Sequence, residues 1–176
     1  MKMTRLAWIK VTCATALSIT AFSSAIAQPA ELRVGLIPSE DAQAMIRASQ
    51  QIMDQLAEKS GMKVRPFVAN DYNGVIEALR SGKLDIAYLG PFSYVLASEV
   101  ANAEAFAVAV TKKTGTSSYQ SLLITRKDSG LDSVAKLKGK TFSFVDPSSA
   151  SGHLFPKAGL LAEGYDPDLY LSLIHI

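Results

Sequence analysis

Between Glu31 and Val110, short β-branched or apolar runs alternate with helical patterns, separated by only a few Gly, Pro and polar residues. Strands that succeed one another through helices build a mostly parallel sheet covered on both faces. Glu31 to Ile37 (ELRVGLI) predicts the first strand, and Pro38-Ser39 the turn after it. From Glu40 to Ser60 the apolar residues Ala44, Met45, Ile52, Met53 and Leu56 recur at helical spacing, and Gly61 supplies the stop. Lys63 to Val68 (KVRPFV) predicts a second strand, which Pro66 confines to an edge of the sheet. A short helix from about Asp71, closed by Gly82, leads to a strand over Leu84 to Leu89, and Gly90-Pro91 opens a helix running to Ala101. A fourth strand is expected over Ala105 to Val110. In such sheets the ligand crevice lies beyond the carboxyl ends of the strands, where Ser39, Tyr72 and Pro91 through Ser93 fall.

Lys112 to Ser117 (KKTGTS) is a polar break, after which a second α/β unit begins. Tyr119 to Thr125 predicts a strand, Arg126 to Gly130 a loop, and the residues up to Gly139 a short helical turn. Thr141 to Val145 predicts another strand, stopped by Asp146-Pro147. Ser148, Ser149, Ala150, Ser151 and Gly152 then lead into an apolar helical pattern. A hydroxyl-rich turn at that place gathers Ser Oγ groups and unpaired first-turn N–H groups around one point, and the helix dipole adds positive charge, which is an arrangement suited to an anion. Ser149 or Ser151 would serve equally as a plain helix cap. His153 and Ser151 stand two apart in one turn and do not face each other, so they make no nucleophile and base pair; His153 is expected at the surface or supporting the site. Asp146 would repel an anion and is read as a turn or capping carboxylate.

Residues 1 to 27 carry the pattern of a secretory signal peptide: Lys2, Arg5 and Lys10, an apolar stretch from Val11 to Ile19, and Ala25-Ile26-Ala27 before Gln28-Pro29. The alternative, a retained membrane anchor, conflicts with the short and Thr/Ser-rich apolar run. Cys13, the one cysteine, lies inside this leader, so the mature chain would hold no disulfide and no thiolate metal ligand. Removing 27 residues, three of them Lys or Arg and none acidic, leaves 149 with a formal charge of −1. That balance argues against nucleic acid as a partner. No metal site and no cofactor are expected, and a mature chain with only His153 and His175 offers little to an enzyme.

Four stretches resemble the periplasmic substrate-binding proteins of ABC transporters for phosphonate, phosphite and phosphate: Leu32 to Ala42, Asn70 to Tyr94, Ser118 to Gly130 and Leu137 to Pro156. The resemblance spans about residues 31 to 170. It implies the two-lobed, hinged class II periplasmic-binding fold, with the first α/β lobe over residues 28–113 and an incomplete second lobe over 114–170. It also implies a grip on the phosphonate group by a Ser-Thr-Ser run at a helix start and by one tyrosine from each side of the cleft. Matched by position, the run is Ser149, Ala150 and Ser151, and the tyrosines are Tyr72 and Tyr119. Here the middle Thr is Ala150, which removes one hydroxyl donor, worth about tenfold or more in affinity at ~1.5–3 kcal/mol per bond to a charged group unless a water or Ser148 substitutes.

The resemblance implies capture of a phosphonate, phosphite or related oxyanion in the periplasm for an ABC permease in the inner membrane, with a hinge around Lys112 to Tyr119. An oxyanion sensor coupled to a histidine kinase is the alternative. Leu171 to Ile176 (LSLIHI) departs from the family pattern and reads as a non-native tail on a C-terminally truncated chain, with a natural truncated paralogue as the alternative, and the chain on its own is expected to bind its ligand weakly or not at all.

Overall fold

The computed structural model describes residues 31–174. The leader predicted over residues 1 to 27 lies outside them. Strand β1 (Glu31–Leu36) is followed by helix α1 (Ala42–Ser60), β2 (Lys63–Val68), α2 (Tyr72–Arg80), β3 (Ile86–Tyr88) and α3 (Pro91–Ala101). The three strands form a parallel sheet in the order β2-β1-β3, with Glu31 opposite Lys63 and Val34 opposite Ile86. Pro66 thus sits on an edge strand, where its missing N–H costs no ladder bond on the open side.

The two faces of β1 bury separate cores. Val34 and Leu36 pack with Met53 of α1, whereas Ile37 packs with Tyr72 and Val75 of α2 and with Leu84. Alternation of side chains along one strand is what lets a single sheet hold helices on both sides. Gly35 lies close against that second core, where a Cβ would stand 2.5 Å from Leu84 Cδ1 and oblige that side chain to shift. Helix boundaries follow local chemistry. Asp41 Oδ1 accepts from the Ala44 N–H, Asp71 Oδ1 from the Gly74 N–H, and Gly61 ends α1 in the left-handed region at φ 67°. The strand predicted over Leu84 to Leu89 shortens to three residues, and just ahead of it the Asp85 carboxylate accepts from the Arg33 N–H at 2.8 Å and pairs with its guanidinium at 2.7 Å.

Two predicted strands do not form. Ala105 to Val110 and Tyr119 to Thr125 pair with no strand among the described residues, and they leave Phe106, Val108, Leu122 and Ile124 exposed. An alternating apolar run becomes a strand only where a neighbour offers a ladder, and none lies beside either run. Between them, Thr111 to Thr116 closes a turn through the Thr111 and Thr116 backbones at 2.9 Å.

The second unit is small. A 3₁₀ turn (Val134–Leu137) precedes β4 (Thr141–Ser143), a π-helical turn (Ala150–Leu154) runs directly into α4 (Phe155–Ala162), and α5 (Pro167–Tyr170) leads to β5 (Ser172–Ile174). β5 pairs in parallel with β4, Thr141 opposite Ser172, and Leu137, Leu160 and Leu171 form the core of the unit. The segment that the sequence sets apart as a tail therefore supplies the second strand and a buried leucine.

Candidate functional site

The hydroxyl-rich turn lies where β4 ends. Asp146 fixes it from both its main chain and its side chain: its carbonyl accepts from the Ser149 N–H at 2.8 Å, and Oδ1 accepts from the Ser148 N–H at 2.7 Å. Ser149 Oγ then caps the following helix by accepting from the Gly152 N–H at 3.1 Å, and the Ser149 carbonyl receives the N–H groups of both His153 and Leu154. That doubled acceptance widens the first turn into a π turn. Gly152 is required there, because a Cβ would stand 2.5 Å from Val145 Cβ. The first N–H groups of this turn, those of Ala150 and Ser151, precede any intrahelical acceptor.

Across from the turn stands the start of α2. Tyr72 is 4% exposed, and burial pushes its hydroxyl above the ordinary tyrosine value of 10.0. The neighbouring Ser149 side chain opposes the shift, while the nearby Asp146 and Tyr119 add to it. Tyr72 therefore stays protonated, as a neutral donor, throughout the physiological range. Two further contacts tie the sides together: Asp146 Oδ2 accepts from the Tyr72 N–H at 3.0 Å, and Ser148 Oγ donates to Asn73 Oδ1 at 3.1 Å.

Tyr119 and Ser151 meet elsewhere in the same cluster. With Pro91, Ser117, Ser118 and Ser121 they line a cavity of about 160 Å³, into which Tyr119 projects with 58% exposure. Ser121 Oγ donates to the Ser151 carbonyl at 2.6 Å and so anchors the crossing segment to the turn. A larger hollow of about 640 Å³, between β2 and α2, is lined by residues such as Phe67, Glu77 and Lys83 and touches none of these hydroxyls.

The five residues predicted for the ligand thus fall into one cluster with two parts. Tyr72, Ser149 and Ala150 are buried where the two sides touch, and Tyr119 and Ser151 line the cavity. Of the other strand-end positions, Ser39 is exposed, and Ser93 is fully buried, its Oγ accepting from the Gly90 N–H. His153 is half-buried: its ring lies 4.9 Å from that of Phe144, and Nδ1 is buried without a partner among the described residues. The sequence reading missed Asn73 and Ser121. Ser121 carried a signal, standing two residues after Tyr119 and so on the same side of an extended chain. Asn73 carried none. No group of three or more His, Cys, Asp or Glu among the described residues is placed to hold a metal.

Comparison with known proteins bears on what such a cluster does. Residues 34–175 match the model of a family described as the periplasmic substrate-binding protein of the phosphonate ABC transporter. The chain belongs to this family. Within the phosphonate-binding family it is 33% identical over 138 residues to the phosphate-import protein PhnD of Mycolicibacterium smegmatis, covering 77% of this chain and 43% of that protein. It is 38% identical over 133 residues to the phosphonates-binding periplasmic protein of Escherichia coli K12, covering 73% and 39%. The crystal structure of a binding protein component of an ABC phosphonate transporter from Pseudomonas aeruginosa superimposes with a TM-score of 0.77 at 32% identity, over 82% of this chain and 50% of that one. The chain spans about half the length of the relatives it matches. The fold is that of the periplasmic binding proteins, present in part, and the family match runs through the segment after Tyr170.

Proposed function

We propose that the protein captures a phosphonate, phosphite or related oxyanion in the periplasm and delivers it to an ABC permease. The observation that carries this reading is the convergence of Tyr72, Tyr119 and the Ser149–Ser151 turn from two sides of one cleft, with no basic side chain among them. Neutral donors and a helix start hold an anion by hydrogen bonds that strengthen as water is excluded. Its relatives' names, one for phosphate import and one for phosphonate binding, support the ligand class.

Tyr72 lies beside Ser149 where the two sides touch, so an oxyanion that reaches both sides has to enter between them. The Ala150 and Ser151 N–H groups and the Ser151 hydroxyl supply donors from the turn, and Tyr119 supplies one from the cavity wall. Binding proceeds with no bond made or broken in the ligand, as expected of a carrier. Isothermal titration calorimetry with methylphosphonate, phosphite and phosphate tests the reading. Saturable one-to-one binding of at least one by the full-length gene product is expected, and heat-free titrations of it with all three overturn the reading.

A further inference from the structure

The ligand grip proposed above gives Asp146 no part, yet this carboxylate makes the most direct link between the two sides of the cleft. Each of its oxygens accepts from a backbone N–H. Oδ1 takes Ser148, two residues on in its own turn, and Oδ2 takes Tyr72, 74 residues away at the first position of α2. Asp71 already caps that helix through the Gly74 N–H, so Asp146 supplies a second acceptor to a different orphan donor. A few ångströms away, Ser148 Oγ donates to Asn73, the next residue of α2. One side chain thereby registers the start of α2 against the hydroxyl turn.

We propose that Asp146 is a positioning residue for ligand capture: it holds the Tyr72 backbone so that the Tyr72 hydroxyl meets the Ser149–Ser151 turn when the two sides come together. The inference rests on the oxyanion reading and adds to it a residue that never touches the ligand. It has a counterintuitive sign. A negative charge beside an anion site weakens binding through its field, so neutralising Asp146 would tighten binding if the field were its whole effect. A positioning role predicts the reverse. Asp146→Asn is close to isosteric, but its single carbonyl oxygen accepts readily from only one of the two N–H groups, because its NH₂ is a donor.

The test combines amide exchange with a double-mutant cycle on the whole protein. In Asp146→Ala, which removes both acceptors, exchange of the Tyr72 N–H accelerates about tenfold or more. Methylphosphonate affinity falls about tenfold, and the loss disappears in a Tyr72→Phe background, where no hydroxyl remains to be positioned. A merely structural carboxylate would lower thermal stability in both backgrounds and give additive affinities, which overturns the proposal. Tighter binding by Asp146→Asn also overturns it. Should the parent protein bind no oxyanion, the functional reading falls, and Tyr72 exchange still decides the contact: faster exchange supports the registering role, and unchanged exchange removes it.

Discussion

The two helix starts that face each other across the cleft are capped by opposite chemistry. At α2, two carboxylates are in place, Asp71 on the Gly74 N–H at 2.6 Å and Asp146 on the Tyr72 N–H at 3.0 Å. At the turn before α4, the cap is the neutral hydroxyl of Ser149. Both helix ends carry partial positive charge, but at α2 that charge is already neutralised by two anionic groups, and a third anion there would meet repulsion. At the Ser149–Ser151 turn Asp146 Oδ1 is engaged by the Ser148 N–H, ahead of the helix, and among the described residues no carboxylate bonds the N–H groups of Ala150 and Ser151. The oxyanion is therefore proposed to bind at the hydroxyl turn, with Tyr72 reaching across as a neutral donor, although both helix starts lie at strand ends.

That contrast breaks most visibly if the second start is made to look like the first. Ser149→Asp retains an N-cap acceptor and adds a carboxylate where the anion is proposed to sit. Two like charges about 4 Å apart at an effective dielectric near 20 repel by ~4 kcal/mol, so affinity for methylphosphonate should fall about a thousandfold with the fold intact, as circular dichroism and calorimetry would show. Distorting the turn instead of charging it has the next largest effect. Gly152→Ala drives a methyl against Val145 and should cost about 1–3 kcal/mol in thermal or denaturant unfolding.

Tyr72→Phe sharpens the comparison from the other side. Losing one hydroxyl donated to a charged group should weaken binding about tenfold in the same titration. It also has a signature in pH. The Tyr72 pKa is raised in the folded state, so the group contributes stability that is fully present below the unfolded value of 10.0 and is lost as pH rises through the folded one. Unfolding followed from pH 9 upward should show a steeper alkaline loss in the parent than in Tyr72→Phe. The smallest effect belongs to Asp71→Ala, expected to cost ~1 kcal/mol of stability as an N-cap while leaving oxyanion affinity within about twofold.

The same contrast explains what could be read in the sequence. Caps and stops are local, and Asp71, Pro91 and Gly61 act where the residue pattern puts them. Pro66 on an edge strand followed from the missing N–H alone. The strands expected over Ala105 to Val110 and Tyr119 to Thr125 depended on partners, which no local pattern supplies. In the site, the Ser-rich turn was visible as a turn, but capping and anion binding use the same hydroxyl chemistry, and Ser149 caps. The contacts of Asp146 with Tyr72 and of Ser148 with Asn73 join residues more than seventy positions apart, so only the packing of one unit on the other reveals them.

Backbone amide shifts of the isotope-labelled protein, followed as methylphosphonate is added, test most directly which helix start takes the anion. The account predicts the largest movements at Ala150, Ser151 and Gly152, with Asn73, Gly74 and Val75 nearly still. Large movements at Asn73 to Val75 with a silent Ser149–Gly152 turn would contradict it.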